Sequence, residues 1–211
     1  MPETFRTIET RADLDEGCAY LAASCPIWAR VLPTISPLPL RRRGDGFPAI
    51  LDAVIGQQIS VAAAAAIRAR LDAAGLTDET ALREISPETL RAAGLSQAKV
   101  RYLKAIAEAR LDWPELRNLP DDAVVARLTA LPGIGVWTAQ IYLKFALGRA
   151  DAMAAGDLAL QEGARMLYAL PDRPDAAALR DLAEPWRPWR AVAARGLWAY
   201  YRLAKGREGI S

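Results

Sequence analysis

The stretch that decides the fold is LPGIGVWTA, residues 131–139. Gly133 and Gly135 stand two positions apart in it, between segments whose composition is typical of helices. Because glycine adopts positive φ without steric cost, the pair permits a hairpin too tight for residues with side chains. Pro132 has no N–H that would need a partner there. The stretch therefore predicts two helices joined by a tight hairpin, the second beginning near Val136.

The predicted hairpin also has the properties of a phosphate-binding site. The first amides of a helix lack intrahelical partners and stand at the positive end of its dipole, so that together with the hairpin amides they can bind one phosphate group. A purely structural helix–helix turn is the alternative for a motif this short. The residues expected to contact the phosphate are Gly133, Ile134, Gly135, Val136 and Thr138.

Composition and charge exclude several kinds of site. The chain has 211 residues, 52% of them hydrophobic and 25% charged, with a net charge of +2, which is typical of a globular protein with a substantial core. It contains no histidine, which excludes a Ser-His triad and histidine metal ligands. Its two cysteines, Cys18 and Cys25, are too few for a four-cysteine zinc site or iron–sulfur cluster. We therefore expect no cofactor.

The chain shows no targeting or membrane signal. Its N-terminal residues do not resemble a secretory signal, and its longest apolar run, residues 61–67, is far shorter than a membrane span. We expect a cytoplasmic protein without membrane association, and a monomer.

Nearly the whole chain is predicted to be helical, because alanine and leucine are abundant and glycine and proline punctuate the sequence at intervals. No alternating pattern typical of strands is present, so the predicted fold is all-α. Ser60 and Asp121 are expected N-caps, Pro87 follows Ser86 at a helix start, and residues 33–46 are expected to form a loop. The predicted helices span residues 13–24, 26–32, 47–57, 60–74, 78–84, 87–93, 96–111, 121–131, 136–147, 158–168, 175–184 and 188–205.

We expect these helices to form two lobes with the hairpin at the cleft between them. The central lobe is predicted to span residues 47–131. The other lobe combines the N-terminal helices and loop of residues 1–46 with the hairpin, the following loop and the C-terminal helices of residues 132–211.

Asp157, in the segment AAGDLAL of residues 154–160, has two possible roles. It precedes a predicted helix, where aspartate commonly acts as an N-cap. It also follows the hairpin by one helix and a loop, a separation that allows its carboxylate to return toward the hairpin.

The hairpin, the loop after it and Asp157 together resemble the helix-hairpin-helix (HhH-GPD) superfamily of DNA glycosylases. Further segments resemble the alkylation-repair branch of that superfamily, the 3-methyladenine glycosylases, in the same order along the chain. The resemblance implies a nucleoid-associated base-excision repair enzyme that binds damaged double-stranded DNA. The matching segments are residues 55–60, 94–103, 186–190 and 197–198.

The resemblance also implies roles for individual residues. Asp157 matches the catalytic carboxylate, Trp198 a tryptophan that lines the base pocket, and Gln58 the wedge that fills the gap left by the flipped base. Trp137 is a second candidate for the base pocket, and Gln57 a second candidate for contact with base edges. Core packing is the alternative for each tryptophan, and a polar surface is the alternative for the glutamines.

Two further expectations concern lysine and metal chemistry. Superfamily members that also cut the DNA strand have a lysine at the position of Trp137, so the resemblance implies a monofunctional enzyme without lyase activity. Lys144, two turns further on, is expected to be solvated. The resemblance also makes the hairpin carbonyls of Leu131 and Ile134 candidates for binding a monovalent cation.

The chemistry of such an enzyme suits these residue types. Cleavage of the bond between a base and deoxyribose passes through an oxocarbenium-like transition state, which a fixed carboxylate stabilises. Alkylated purines already carry positive charge, so they leave without a strong general acid, in agreement with the absence of histidine, and an aromatic wall attracts them. The predicted substrates are 3-methyladenine and 7-methylguanine. The alternatives are a glycosylase for oxidised or deaminated bases and a non-catalytic helix-hairpin-helix DNA-binding module.

Basic residues provide candidate phosphate contacts beyond the hairpin. Lys99 and Arg101 open a predicted helix, and the segment from residue 186 to residue 207 is basic without an acidic residue. A solvated helix face is the alternative for each of these cations. Those in the segment are Arg187, Arg190, Arg195, Arg202, Lys205 and Arg207.

Overall fold

In a computed structural model, residues 5–206 are described, and they form 13 α-helices and one short 3₁₀ helix. The 3₁₀ helix spans Glu184–Trp186. Over the described residues the only strand-like pairing is a single antiparallel bridge between Thr7 and Arg149. The predicted all-α fold is confirmed. The α-helices are α1 Arg11–Ser24, α2 Pro26–Ile35, α3 Phe47–Ile55, α4 Val61–Ala73, α5 Glu79–Glu84, α6 Pro87–Ala92, α7 Gln97–Glu108, α8 Trp113–Leu116, α9 Asp121–Thr129, α10 Val136–Phe145, α11 Leu158–Leu167, α12 Ala176–Leu182 and α13 Arg190–Lys205.

Each predicted helix is present, but the expected loop of residues 33–46 begins later than predicted. Helix α2 continues through Pro33 to Ile35. Proline is tolerated there because it lies in the last turn, where the helix loses a single amide bond, and the preceding Val31 and Leu32 are buried. The burial of Val31 and Leu32 therefore outweighs the tendency of Pro33 to end the helix.

Two further corrections concern helix starts. The N-cap of α9 is Pro120, so Asp121 is the first helical residue rather than the cap, where its charge suits the helix dipole. Helix α8 was not predicted, because four residues are too few for a periodic pattern. The side chain of Asp112 caps it by accepting from the amide of Glu115. The predicted cap at Ser60 and the helix start at Pro87 are confirmed.

The chain divides into two compact units, the first of which contains residues 43–142. Helix α7 is its centre, with α3, α5 and α6 packed against it. Leu103 and Ile106 on α7 are fully buried, as are Leu51 on α3 and Leu82 on α5. Burial of apolar area of this kind is the main stabilising contribution to such a unit.

Of the described residues, the second unit contains 5–42 and 143–206. Helix α13 is its centre and is packed by α1, α2 and α11. The backbones of α11 and α13 approach closely, because a Cβ at Gly163 would lie 2.8 Å from the carbonyl oxygen of Leu197. This close approach brings the start of α11 near the middle of α13.

The observed division differs from the predicted one at the hairpin. Residues 132–142 were expected with the C-terminal lobe, whereas they fall in the first unit. The cause is packing, since Gly133 lies against the Tyr102 ring and the Tyr142 ring against Trp113. None of the described helices has the length and apolar character that a membrane crossing requires.

Candidate functional site

The hairpin in the first unit has the predicted geometry at Gly133 but not at Gly135, which has no positive φ. Gly133 has φ +79°, and its α-carbon lies so close to the Tyr102 ring that a Cβ would overlap it. Only glycine satisfies both conditions. Gly135 and Val136 are exposed at the start of α10, where open helix amides are expected. A phosphate-binding role for them remains a prediction.

Ile134 and Thr138 have a different environment from the exposed hairpin residues. The side chains of both are buried, and the Ile134 amide donates to the Leu131 carbonyl at 3.2 Å. That amide therefore closes the turn. It is already used within the hairpin, so Ile134 holds the turn in place, unlike the exposed residues predicted to contact the phosphate. One lone pair of the Leu131 oxygen is used in this bond, and a cation at the hairpin carbonyls would have to use the other.

The predicted wedge lies in the turn between α3 and α4. Gln58 is exposed and has φ +58°, a left-handed conformation that is uncommon for a residue with a side chain. The Gln57 Nε2 atom donates to the Gly133 carbonyl at 2.9 Å, so this side chain holds the hairpin. A base-edge contact of Gln57 would use its Oε1 atom or the second hydrogen of Nε2.

Lys99 does not have the expected role of a DNA-backbone contact. It is buried, and its Nζ atom donates to the carbonyls of Ile55 and Gln57, each at 2.7 Å. Burial lowers the pKa of Lys99 from its usual value. Its amine is committed to the backbone beside Gln58.

Asp157 in the second unit has the predicted N-cap role, and its catalytic role remains a prediction. It is the N-cap of α11, and its Oδ1 atom accepts from the amides of Ala159 at 2.9 Å and Leu160 at 3.0 Å. The same oxygen accepts from the Trp198 Nε1 atom at 3.2 Å. The two backbone amides and the Trp198 indole therefore orient the carboxylate. Trp198 is the predicted base-pocket tryptophan, so the two predicted site residues are in direct contact.

Trp198 is partly exposed and is packed on one face. The Phe145 ring stacks on it at a centroid distance of 5.9 Å, and the Lys144 Nζ atom lies 3.9 Å from the indole centre. Two groups in contact with opposite faces of the indole would be about 7 Å apart or more, because each would lie about 3.5 Å from the ring plane. The Nζ atom lies 5.4 Å from the Phe145 ring centre, so both groups cover the same face. The Phe145 and Lys144 contacts of Trp198 thus lie on one face of the indole.

Lys144 is not solvated as expected. It is fully buried, and its Nζ atom has no hydrogen-bond partner within residues 5–206. Burial and the positive charge of Arg195 hold the pKa of Lys144 well below its usual range, although the Asp157 carboxylate acts in the opposite direction and Arg41 adds a smaller lowering effect. Sequence reasoning missed the burial of Lys144 because it depends on contact with Trp198, 54 residues further along the chain.

The predicted basic segment is largely engaged within the protein. Arg187 and Arg190 both donate to the Asp151 carboxylate. Arg195 is buried and donates to the carbonyls of Ala191 and Leu40. Arg207 lies outside the described residues.

Trp137, the second predicted base-pocket residue, lies in the first unit. It is 48% exposed in the first turn of α10, so it is not core. A contact with the base remains a prediction. The structure thus brings together Asp157 with Trp198 in one unit, and Gln57 with Gly133 in the other.

Comparison with known proteins gives one family and several related chains. Residues 51–188 match the model of the HhH-GPD superfamily base excision DNA repair proteins. DNA-3-methyladenine glycosylase 1 of Schizosaccharomyces pombe is 31% identical over 189 residues, which cover 84% of this chain and 83% of that protein.

Two solved structures are also similar. The Schizosaccharomyces pombe 3-methyladenine DNA glycosylase Mag1 in complex with abasic DNA has a TM-score of 0.75 and 29% identity, covering 90% of this chain and 97% of that one. A DNA-3-methyladenine glycosidase from Bacillus halodurans has a TM-score of 0.77 and 30% identity, covering 96% and 95%.

Proposed function

Because the chain belongs to the HhH-GPD superfamily of base excision DNA repair proteins, we propose that it is a DNA glycosylase acting on alkylated purines. It hydrolyses the N-glycosidic bond of a flipped 3-methyladenine or 7-methylguanine in double-stranded DNA and leaves an abasic site. The names of its relatives support this substrate class, and the similarity to a glycosylase bound to abasic DNA supports the DNA partner.

The observation that carries the proposal is the hydrogen bond from Trp198 Nε1 to Asp157 Oδ1, 3.2 Å long. It joins a carboxylate to the edge of an indole that is packed on one face by Phe145 and Lys144. A flipped cationic base on the opposite indole face would have its sugar within reach of the carboxylate. An anion and a π face side by side suit a reaction in which positive charge passes from base to sugar.

Asp157 acts on the sugar. As the C1′–N bond breaks, the bonding electrons leave with the base, whose charge is neutralised, and positive charge develops on the deoxyribose. A carboxylate already oriented by the Ala159 and Leu160 amides stabilises that charge without reorganising during the reaction. Water then adds to C1′, and its proton passes to the carboxylate or to solvent.

The first unit supplies the contacts with the duplex. The exposed start of α10 at Gly135 and Val136 binds one phosphate, and Gln58 enters the gap left by the flipped base. Trp137 adds a second aromatic surface and offers no amine for a Schiff base, so the enzyme is monofunctional. We retain a cytoplasmic, nucleoid-associated monomer as the expected form.

The proposal is tested by incubating the protein with duplex DNA treated with a methylating agent. We expect release of free 3-methyladenine or 7-methylguanine and a DNA strand that breaks only after hot alkali. Release of oxidised or deaminated bases alone would instead favour the alternative glycosylase. Strand cleavage without alkali would contradict the monofunctional assignment.

Replacing Trp198 tests the role of the indole. We expect Trp198→Leu to lower the excision rate of 7-methylguanine by roughly tenfold to a hundredfold, because a desolvated cation–π contact contributes about 2 kcal/mol and stacking adds to it. Excision of neutral hypoxanthine should fall less. Trp198→Phe keeps a π face but loses the bond to Asp157, so single-turnover rates of the two variants separate the two contributions. Equal losses on both bases in Trp198→Leu would contradict a cation-binding role.

A further inference from the structure

The turn of residues 56–59, which contains Gln58, is held by a buried lysine. Helix α3 ends at Ile55, and the last carbonyls of a helix have no partner within it. The Nζ atom of Lys99 donates to the carbonyls of Ile55 and Gln57, each at 2.7 Å. Since the carbonyl of Gln57 belongs to the peptide bond that leads into Gln58, Lys99 fixes the backbone at the wedge.

Lys99 lies on the buried face of α7 with Leu103 and Ile106, a position that is unfavourable for an amine without acceptors. It lies in the first turn of α7, where Ser96 caps the helix and where the dipole disfavours a cation. Burial of the amine adds a second cost and lowers its pKa. The carbonyl end of α3 carries the opposite partial charge and supplies two acceptors, so the favourable interactions of Lys99 are with the wedge turn.

A second contact joins the wedge turn to the hairpin. Gln57 Nε2 donates to the carbonyl of Gly133 at 2.9 Å. The other side of Gly133 rests on the ring of Tyr102, which lies three residues after Lys99 and therefore on a neighbouring part of the α7 surface. Helix α7, the wedge turn and the hairpin thus form a closed set of contacts within the first unit.

We propose that Lys99 and Gln57 are positioning residues that hold the Gln58 wedge at a fixed distance from the phosphate-binding hairpin. This inference rests on the proposed function. The hairpin determines which phosphate is held, and the wedge determines which base step is opened, so their separation determines which nucleotide is flipped. The left-handed conformation of Gln58 is unfavourable for a side-chain-bearing residue and persists because its neighbours restrain it.

Lys99→Met tests the proposal, because it keeps an unbranched apolar side chain one atom shorter than lysine and removes the donors. We expect the single-turnover excision rate on a paired lesion to fall by roughly tenfold to a hundredfold, as for other displacements of about 1 Å in a positioned group. On a lesion in an unpaired bulge, which needs little displacement, the rate should stay within about threefold of wild type. Gln57→Leu should show the same pattern, and Lys99→Arg should restore most of the rate.

Lys104→Met is the matched control. Lys104 lies on the same helix, and its Nζ atom donates to three carbonyls, those of Leu82, Arg83 and Ile85, at 2.7 to 2.9 Å. It performs the same kind of capping at the end of α5, away from the wedge turn. We expect a comparable loss of thermal stability in the two methionine variants, but no loss of paired-lesion excision in Lys104→Met.

The outcomes separate this inference from the proposed function. If the wild-type protein excises neither the paired nor the bulged lesion, the proposed function is contradicted. The wedge can then still be tested by measuring base flipping in the wild type and in Lys99→Met through the fluorescence of 2-aminopurine in the duplex. Active wild type with unimpaired Lys99→Met overturns the inference. So does a Lys99→Met variant that loses equal activity on paired and bulged lesions, because that result indicates a general structural role.

Discussion

Asp157→Asn is expected to lower the single-turnover rate of base release by at least about 10²- to 10³-fold, comparable to the loss of one preorganised electrostatic group in other enzymes. Asparagine is isosteric but uncharged, so it does not stabilise the oxocarbenium ion. Its side-chain oxygen can still accept from the amides of Ala159 and Leu160, so α11 should remain capped. Affinity for duplex DNA should be equal or higher, since one negative charge near the phosphates is removed.

Asp175→Asn provides a control with almost the same local structure. Asp175 is the N-cap of α12, and its Oδ1 atom accepts from the amides of Ala177 at 2.9 Å and Ala178 at 2.8 Å. We expect this variant to release bases at the wild-type rate. If Asp157→Asn also released bases at the wild-type rate, Asp157 would be an N-cap only. If wild type bound DNA without any turnover, the chain would be a binding module.

The parts of the site that sequence reasoning identified are those that depend on local geometry. The hairpin follows from Gly133, whose positive φ glycine adopts without steric cost. The same argument for Gly135 was wrong, because Gly135 has no positive φ and a Cβ there would contact nothing within 4 Å. Asp157 was recognised both from its position before a helix and from its place after the hairpin. The N-cap role does not exclude the proposed catalytic role, because the Oδ1 atom that accepts from the α11 amides also accepts from Trp198.

The parts that sequence reasoning missed depend on partners far along the chain. Lys99 donates to the carbonyl of Ile55, 44 residues away. Its spacing with Leu103 and Ile106 places it on the buried face of α7, but the residue pattern of the helix does not reveal which acceptors its amine meets. Lys144 was interpreted as solvated for the same reason. Backbone carbonyls are present at every position and leave no mark in the residue pattern, so a lysine that binds them resembles one that binds water.

Lys144→Met is expected to stabilise the protein, increasingly so as the pH falls. In the unfolded chain Lys144 has an ordinary lysine pKa of about 10.4, whereas burial and Arg195 hold the pKa well below that in the folded chain. Between the two values the unfolded chain binds a proton that the folded chain does not, so the wild-type free energy of unfolding rises with pH. One such group contributes at most about 1.4 kcal/mol per pH unit. Methionine does not titrate, and it can maintain the contact with the Trp198 ring.

Urea unfolding of both proteins at several pH values between 6 and 10 measures this effect. The difference in unfolding free energy between Lys144→Met and wild type should grow toward the acid end of the range, until the folded-state pKa is reached. Lys205→Met is the control, because Lys205 is exposed near the end of the same unit and its loss should leave the pH dependence of stability unchanged. A Lys144→Met difference that is constant with pH, or a destabilisation at low pH, would mean that the buried amine is protonated in the folded protein. In that case the cation would lie 3.9 Å from the indole and would repel a cationic base on the opposite face.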